Sequence, residues 1–186
     1  GDVGHTLVAG PTGMGKSVLL ATLAMQFRRY RGSRILAFDM GRSIRATVLG
    51  LGGEHYDLGM DGEIAFQPLA RIDREGYRTW AAEWIEGRLR HEGVTVGPEE
   101  KAAIWSALGS LAGAPLEQRT MTGLSVLLQS NALRQALAPY VLGGAHGKLL
   151  DADSDRLGSG AVQCFEMEEL MHSKAAVMAV LHYLFA

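Results

Sequence analysis

The stretch HTLVAGPTGMGKSVLLATLAMQF, residues 5–27, decides the fold that the sequence predicts. Its central part, GPTGMGKS at residues 10–17, fits the pattern G-x-x-x-x-G-K-[ST] of a phosphate-binding loop. The residues before this loop form a short apolar run, which predicts a buried strand. Apolar residues recur after the loop at helical spacing, namely Leu19, Leu20, Leu23, Ala24 and Phe27. A strand, a glycine-rich loop and a helix in this order predict a nucleotide site.

The chemistry of that site follows from the residue types in the loop. Glycines let the backbone turn several N–H groups toward one anion, and Gly13 and Gly15 carry no side chain that would block the phosphates. Lys16 is the candidate catalytic residue because its ammonium reaches the β- and γ-phosphates, and the Ser17 hydroxyl is suited to coordinate Mg²⁺. The expected cofactors are therefore ATP and Mg²⁺. The predicted nucleotide-binding residues are Gly10, Pro11, Thr12, Gly13, Met14, Gly15, Lys16, Ser17 and Val18.

Composition excludes several other classes of protein. The chain has 186 residues, of which 47% are hydrophobic and 20% charged, as in a globular protein with a real core. A formal net charge of −2 gives no overall basic footprint for nucleic acid or membrane. The single cysteine, Cys164, excludes an internal disulfide framework, and its apolar surroundings predict a buried strand residue.

The rest of the pattern predicts an α/β fold with a helical insertion. Residues 33–39, SRILAFD, read as a second strand, which makes a βαβ unit with parallel strands. Residues 1–72 are expected to form the first part of the α/β core, 73–145 an all-helical subdomain, and 146–186 the return to the core. In that last part, a strand to about Met167 is expected to lead into a helix from Glu168 onward.

Hydrolysis of ATP needs an acid that holds Mg²⁺ through water and another that orients the attacking water, usually at the end of an apolar strand. Three acids follow apolar runs, namely Asp39, Glu166 and Asp151. Asp39 is the best candidate for lying near the phosphates, because its strand belongs to the same βαβ unit as the loop.

The sequence leaves direct contact with DNA open. The arginine-rich segment RRYRGSR, residues 28–34, suits phosphate groups, but a solvated helix end explains it equally well. No aromatic stacking platform lies beside it in the sequence.

Several stretches together resemble the conjugal-transfer ATPases of type IV secretion systems. They are residues 4–17, 34–59, 66–73, 140–155 and 162–185, and the last two are similar to the TrbE branch of that family. The resemblance implies a RecA-like phosphate-loop motor core carrying an all-helical subdomain. It also implies a homo-oligomer, often a hexamer, at the cytoplasmic face of the bacterial inner membrane, working with other secretion components. The family's paired acids and the arginine presented to a neighbour's nucleotide are expected beyond Ala186.

The function expected from this resemblance is ATP binding and hydrolysis by a motor that powers conjugative DNA transfer or pilus assembly. Because the acids are expected elsewhere, residues 1–186 alone are expected to bind nucleotide without turning it over. Two alternatives stand beside it. One is a DNA-translocating or coupling ATPase of the same fold, and the other is a degenerate module that binds ATP and serves as an assembly scaffold.

Overall fold

The computed structural model describes residues 4–59 and 64–186, and the chain divides into two compact units. The first unit comprises the residues up to 57 together with 158–168, and the second comprises 58–157 and 169–186. In chain order the elements are α1 (Lys16–Phe27), β1 (Ile35–Asp39), α2 (Arg45–Gly50), β2 (Glu54–Asp57), α3 (Glu75–His91), α4 (Pro98–Ala112), α5 (Met121–Leu127), α6 (Asn131–Leu137), α7 (Gly147–Leu150), β3 (Val162–Glu166) and α8 (Lys174–Leu184). Short 3-10 turns occur at Leu116–Gln118, Ala138–Tyr140 and Leu170–His172.

The first unit contains a three-stranded parallel sheet in the order β1-β3-β2. β3 lies in the centre, and all five of its residues are buried. Its register aligns Ile35 with Val162 at one end and Asp39 with Glu166 at the other. The parallel sheet is therefore confirmed, as are the strands expected in SRILAFD and near Met167, but the partners of SRILAFD lie later in the chain and not before the phosphate loop.

A small apolar core lies on this sheet. Val48 of α2 packs with Val162 and Cys164 of β3, and four partly buried residues surround them, namely Ile35, Ala37, Ile44 and Leu51. Burial raises the pKa of the Cys164 thiol to about 12, with smaller contributions from the carboxylates of Asp39 and Glu166. The cysteine is thus the inert, buried strand residue that the sequence predicts.

The strand predicted just before the phosphate loop is not formed. Residues 4–10 have no assigned secondary structure, and the side chain of Leu7 is 91% exposed. A strand requires a neighbour that accepts and donates its ladder hydrogen bonds, and residues 4–10 pair with none of the described strands. The helix that follows is present, but α1 has no buried residue, and its leucines are about half exposed.

The second unit is built almost entirely from helices. α4 begins with Pro98 and two acids, and the Glu100 carboxylate accepts a hydrogen bond of 2.8 Å from the Gly97 N–H. The fully buried side chains of this unit include Leu58, Phe66, Leu69, Ile72, Ile85, Leu89, Ile104, Leu108, Met121, Leu124 and Tyr140. Among the described residues, no helix combines the length and the apolar character that crossing a membrane would need.

The helical unit extends beyond the expected residues 73–145 at both ends. Leu58, Phe66 and Leu69 join its core, because their side chains are excluded from water among the helices. The last helix, α8, also belongs to it, and it begins at Lys174 rather than at Glu168. Ser173 sets that start, since its hydroxyl accepts a hydrogen bond of 3.3 Å from the Ala176 N–H. The functional domain assignment itself stays a prediction.

One buried hydrogen bond ties α8 to α3. The indole N–H of Trp84 donates to the carbonyl oxygen of Ala179 at 3.0 Å, and both residues are buried. Trp84→Phe should lower the free energy of unfolding by about 1–3 kcal/mol, because the carbonyl loses its donor and the smaller ring leaves a gap. Denaturant unfolding with an unchanged m-value measures this loss.

Trp80→Phe is the matched control. Trp80 contacts Tyr77, Trp84 and Tyr183 through its ring and is only partly buried. Its substitution should cost less than that of Trp84. Equal losses in the two variants would mean that ring packing, rather than the bond to Ala179, holds α8 in place.

Candidate functional site: a phosphate-binding loop and the carboxyl edge of a parallel sheet

Two glycines give the phosphate loop its shape. Gly13 and Gly15 have φ angles of +83° and +79°, in the left-handed region that other residues avoid. No atom lies within 4 Å of a Cβ built on either glycine, so the backbone angle, not crowding, is what requires glycine here. Gly15 is the N-cap of α1, and the loop therefore passes directly into the helix.

Lys16, the first residue of α1, folds back over the loop. Its ammonium donates hydrogen bonds of 2.7 Å to the carbonyl oxygens of Gly10 and Pro11. The ammonium of Lys16, the only cationic side chain in residues 10–17, therefore lies across the opening of the loop. The bonds are to neutral carbonyls, which an anionic phosphate outcompetes as a partner for an ammonium group.

The backbone of the loop offers donors to an anion. Among the described hydrogen bonds, none is donated by the backbone N–H groups of residues 12–18. The first turn of α1 contains no acid and no side-chain cap. The positive end of the helix dipole and these N–H groups therefore face a region where a phosphate would be stabilised. The Ser17 hydroxyl is exposed at the same helix start.

A second cluster of polar groups lies at the carboxyl edge of the sheet in the same unit. The three strands end level with one another on acids, because Asp39 of β1 and Asp57 of β2 are both in register with Glu166 of β3. Ligands of open α/β sheets bind outside this edge.

The carboxylate of Glu166 is buried and accepts hydrogen bonds from backbone N–H groups. It is 2% exposed, and its Oε1 accepts hydrogen bonds of 3.1 Å from the N–H groups of Gly41 and Glu168. Its Oε2 accepts one of 2.7 Å from the Arg42 N–H. With three donors converging on it, this carboxylate anchors the segment that follows β1.

Asp39 anchors the same segment from the other side. One carboxylate oxygen accepts a hydrogen bond of 2.6 Å from the Ser43 hydroxyl, and the other accepts one of 2.9 Å from the Ile44 N–H. Both oxygens are thus used in shaping the turn into α2. The proximity of Asp39 to bound phosphates stays a prediction.

Arg42 lies between these two anchors. Its φ of +56° is left-handed, and its guanidinium donates to Asp57 Oδ2 at 2.7 Å. The hydrogen bond and charge of Asp57 raise the pKa of Arg42 above its usual value. Arg42 is absent from the residues predicted from sequence, because neither its backbone angle nor its partner leaves a local signal. The acid at the end of β2, Asp57, follows Glu54, His55 and Tyr56 rather than an apolar run, so the rule that identified Asp39 does not find it.

Asp151, the third candidate acid, lies in the helical unit. Its carboxylate accepts hydrogen bonds from the Leu142 N–H at 2.5 Å, from the Thr122 N–H at 2.8 Å and from the Thr122 hydroxyl. The structure therefore explains all three acids by hydrogen bonds within the chain. In the described part of the chain, no group of three or more His, Cys, Asp or Glu residues is arranged to hold a metal ion directly.

Comparison with known proteins links this chain to bacterial conjugation proteins. It is 43% identical, over 99% of its length, to the conjugal transfer protein TrbE of Rhizobium radiobacter. It is also 43% identical, again over 99% of its length, to a probable conjugal transfer protein TrbE of Sinorhizobium fredii. The chain is a homologue of the TrbE conjugal transfer proteins. The resemblance stated from the sequence is thereby confirmed.

The match covers only a fraction of these relatives. The chain spans 23% of the length of the Rhizobium TrbE and 28% of that of the Sinorhizobium protein. A more distant relative, the type IV secretion system protein virB4 of Bartonella henselae, is 25% identical over the whole chain, which spans 24% of that protein. No family model matches the sequence.

A solved structure supports the fold. VirB4 of Thermoanaerobacter pseudethanolicus superposes with a TM-score of 0.65 over 95% of this TrbE homologue and 54% of the VirB4 chain, at 18% identity. At that identity the likeness concerns the fold alone.

The anchoring role of Glu166 leads to a stability prediction. Glu166→Gln replaces one acceptor oxygen by an amide NH₂, which would face a backbone donor. The expected loss in the free energy of unfolding is about 1–3 kcal/mol, the cost of leaving a buried polar group unpaired. Thermal or denaturant unfolding of the two proteins measures it.

Glu168→Gln serves as its control, because the Glu168 side chain is exposed and only its backbone N–H contacts Glu166. That variant should stay within about 0.5 kcal/mol of the parent. If both substitutions were equally mild, the three hydrogen bonds to Glu166 would carry little of the stability of this edge.

Proposed function

We propose that this chain is the nucleotide-binding part of an ATP-hydrolysing motor that serves conjugative transfer or another type IV secretion process. The observation that carries the proposal is the phosphate loop, with Gly13 and Gly15 in left-handed conformations and Lys16 at the start of α1, in a homologue of TrbE. The names of the relatives indicate the process, conjugal transfer, and the loop indicates the chemistry, the binding of a nucleotide's phosphates.

The loop residues have separate tasks in this proposal. The backbone N–H groups of residues 12–18 surround the phosphates of MgATP, and Lys16 leaves the carbonyls of Gly10 and Pro11 to pair with the β- and γ-phosphates. The Ser17 hydroxyl would coordinate the Mg²⁺ that the nucleotide brings. Lys16 then stabilises the charge that develops on the transferred phosphoryl group.

We also propose an oligomeric assembly and a location for this motor. The parallel sheet and the phosphate loop fit a RecA-like core, in which neighbouring subunits complete each other's nucleotide sites. We therefore propose a homo-oligomer, such as a hexamer, that acts with other secretion components at the cytoplasmic face of the inner membrane. The likeness to VirB4 over 95% of the chain concerns the α/β fold alone.

Lys16→Ala tests the phosphate site. Removing the ammonium should weaken binding of MgATP by about tenfold or more, the equivalent of one charge-assisted hydrogen bond. The fold should change little, since Lys16 contacts only exposed loop carbonyls, and a cost of about 0.5 kcal/mol is typical of such positions. Calorimetric titration with MgATP measures the affinity.

Lys174→Ala is the matched control, because Lys174 is an exposed lysine at the start of another helix, α8. It should bind MgATP as the parent chain does. Unchanged affinity in Lys16→Ala would contradict the phosphate-site assignment.

We expect this chain to bind MgATP without hydrolysing it. Asp39, Glu166 and Asp151 each accept hydrogen bonds from backbone N–H or hydroxyl groups of other residues, so none of them is poised to orient water. Residues 1–186 should therefore gain thermal stability with MgATP yet release no phosphate above background. A ligand at a hundred times its dissociation constant stabilises the folded state by about 2.7 kcal/mol. Steady phosphate release that Lys16→Ala abolishes would show that one of these acids does act in hydrolysis.

A further inference from the structure

The segment that follows β1 holds one side chain in an unusual way. Within the described residues, 4–59 and 64–186, Arg42 is the only residue other than glycine with a positive φ. Residues other than glycine adopt this conformation uncommonly and at a cost, and such positions concentrate at functional sites. Two neighbouring carboxylates impose it here.

The backbone around Arg42 is held by these two acids. Glu166 accepts the N–H groups of Gly41 and Arg42, and Asp39 accepts the Ser43 hydroxyl and the Ile44 N–H. Both acids end strands of the parallel sheet, so the sheet itself defines where the segment lies. Hydrogen bonds therefore hold the backbone on both sides of Arg42, and its side chain extends from this fixed backbone.

The guanidinium, in contrast, is held weakly. Its described hydrogen bond is to Asp57, at 2.7 Å, and the two side chains are 61% and 41% exposed. An exposed ion pair of this kind is worth little, because water screens both charges. Arg42 can therefore exchange Asp57 for a stronger anion without disturbing the core.

A phosphate group is the anion expected at this position. Residues 28–34 join the end of α1 to the start of β1, and in the βαβ crossover that the sequence predicts the start of α1 and the carboxyl end of β1 lie on the same side of the unit. The phosphate loop precedes α1, and Arg42 follows β1 by three residues. A guanidinium is also the side chain that best matches phosphate oxygens, because its planar N–H groups bond two of them at once.

We propose that Arg42 distinguishes nucleoside triphosphate from diphosphate, by leaving Asp57 and donating to the terminal phosphate. Asp57 is its resting partner and competes with the phosphate. This inference rests on the proposed nucleotide site and adds a specificity residue to it. Substitutions of Arg42 and Asp57 should therefore change the preference for triphosphate in opposite directions. Loss of the Arg42 side chain removes the contact with the terminal phosphate, whereas loss of the Asp57 charge removes the group that competes with that phosphate for Arg42.

The experiment compares the affinities of the 186-residue chain for MgADP and for the non-hydrolysable triphosphate MgAMP-PNP, by calorimetry. In Arg42→Gly the preference for triphosphate should fall about tenfold, the value of one charge-assisted hydrogen bond. Glycine adopts a left-handed φ freely, so this variant keeps the segment in place and removes only the side chain. Arg42→Lys should keep some of the preference, because it retains the charge without the planar fork.

Asp57→Asn should raise the preference for triphosphate. Arg45→Ala is the control, since Arg45 is an exposed arginine three residues away, in α2, and should behave as the parent. The opposite signs of the Arg42 and Asp57 effects separate a phosphate contact from a structural ion pair, whose loss would act in the same direction from either side.

An unchanged preference for triphosphate in Arg42→Gly would overturn the inference while leaving the nucleotide site intact. If both affinities also stayed at the parent values, Arg42 would have no part in binding, and if both fell equally, the segment would only support the site. If the parent chain binds neither nucleotide, the proposed function itself is wrong, and this inference is wrong with it.

Discussion

The α/β unit depends on the pairing of β3 between β1 and β2. The two outer strands do not pair with each other, so only β3 joins them, and it enters the sheet after residues 58–161 have intervened. Closing so long a loop costs conformational entropy before any contact forms. The burial of all five β3 residues and ladder hydrogen bonds on both edges offset that cost. Without β3, neither the small core around Val48 nor the carboxyl edge would exist.

The same pairing gives the strand-end acids their role. Because the register puts Asp39, Glu166 and Asp57 level, their carboxylates reach one short segment of chain. Glu166 and Asp39 bind its backbone, and Asp57 binds the Arg42 guanidinium. Acids at such an edge are often taken as candidates for activating water. Here their hydrogen bonds hold the segment that follows β1.

The phosphate loop and the carboxyl edge of the sheet carry charges of opposite sign. At the loop, N–H groups without described partners and Lys16 produce a positive region suited to an anion. At the sheet edge, negative carboxylates are neutralised by N–H donors and one exposed guanidinium. Arg42 combines an exposed guanidinium, paired with Asp57, with a backbone N–H that Glu166 binds.

Local patterns in the sequence determined the loop and most of the elements. Gly10, Gly15 and Lys16 follow from a fixed motif, and β1 and β3 follow from apolar runs, because both signals act over a few neighbouring positions. The tertiary structure alone decided what those elements do. Residues 4–10 lack a strand because no described partner pairs with them, and the final helix starts at Lys174 because the Ser173 hydroxyl caps it. The role of Glu166 likewise depends on donors more than a hundred residues away, at Gly41 and Arg42, and a hydrogen bond across that separation leaves no local trace.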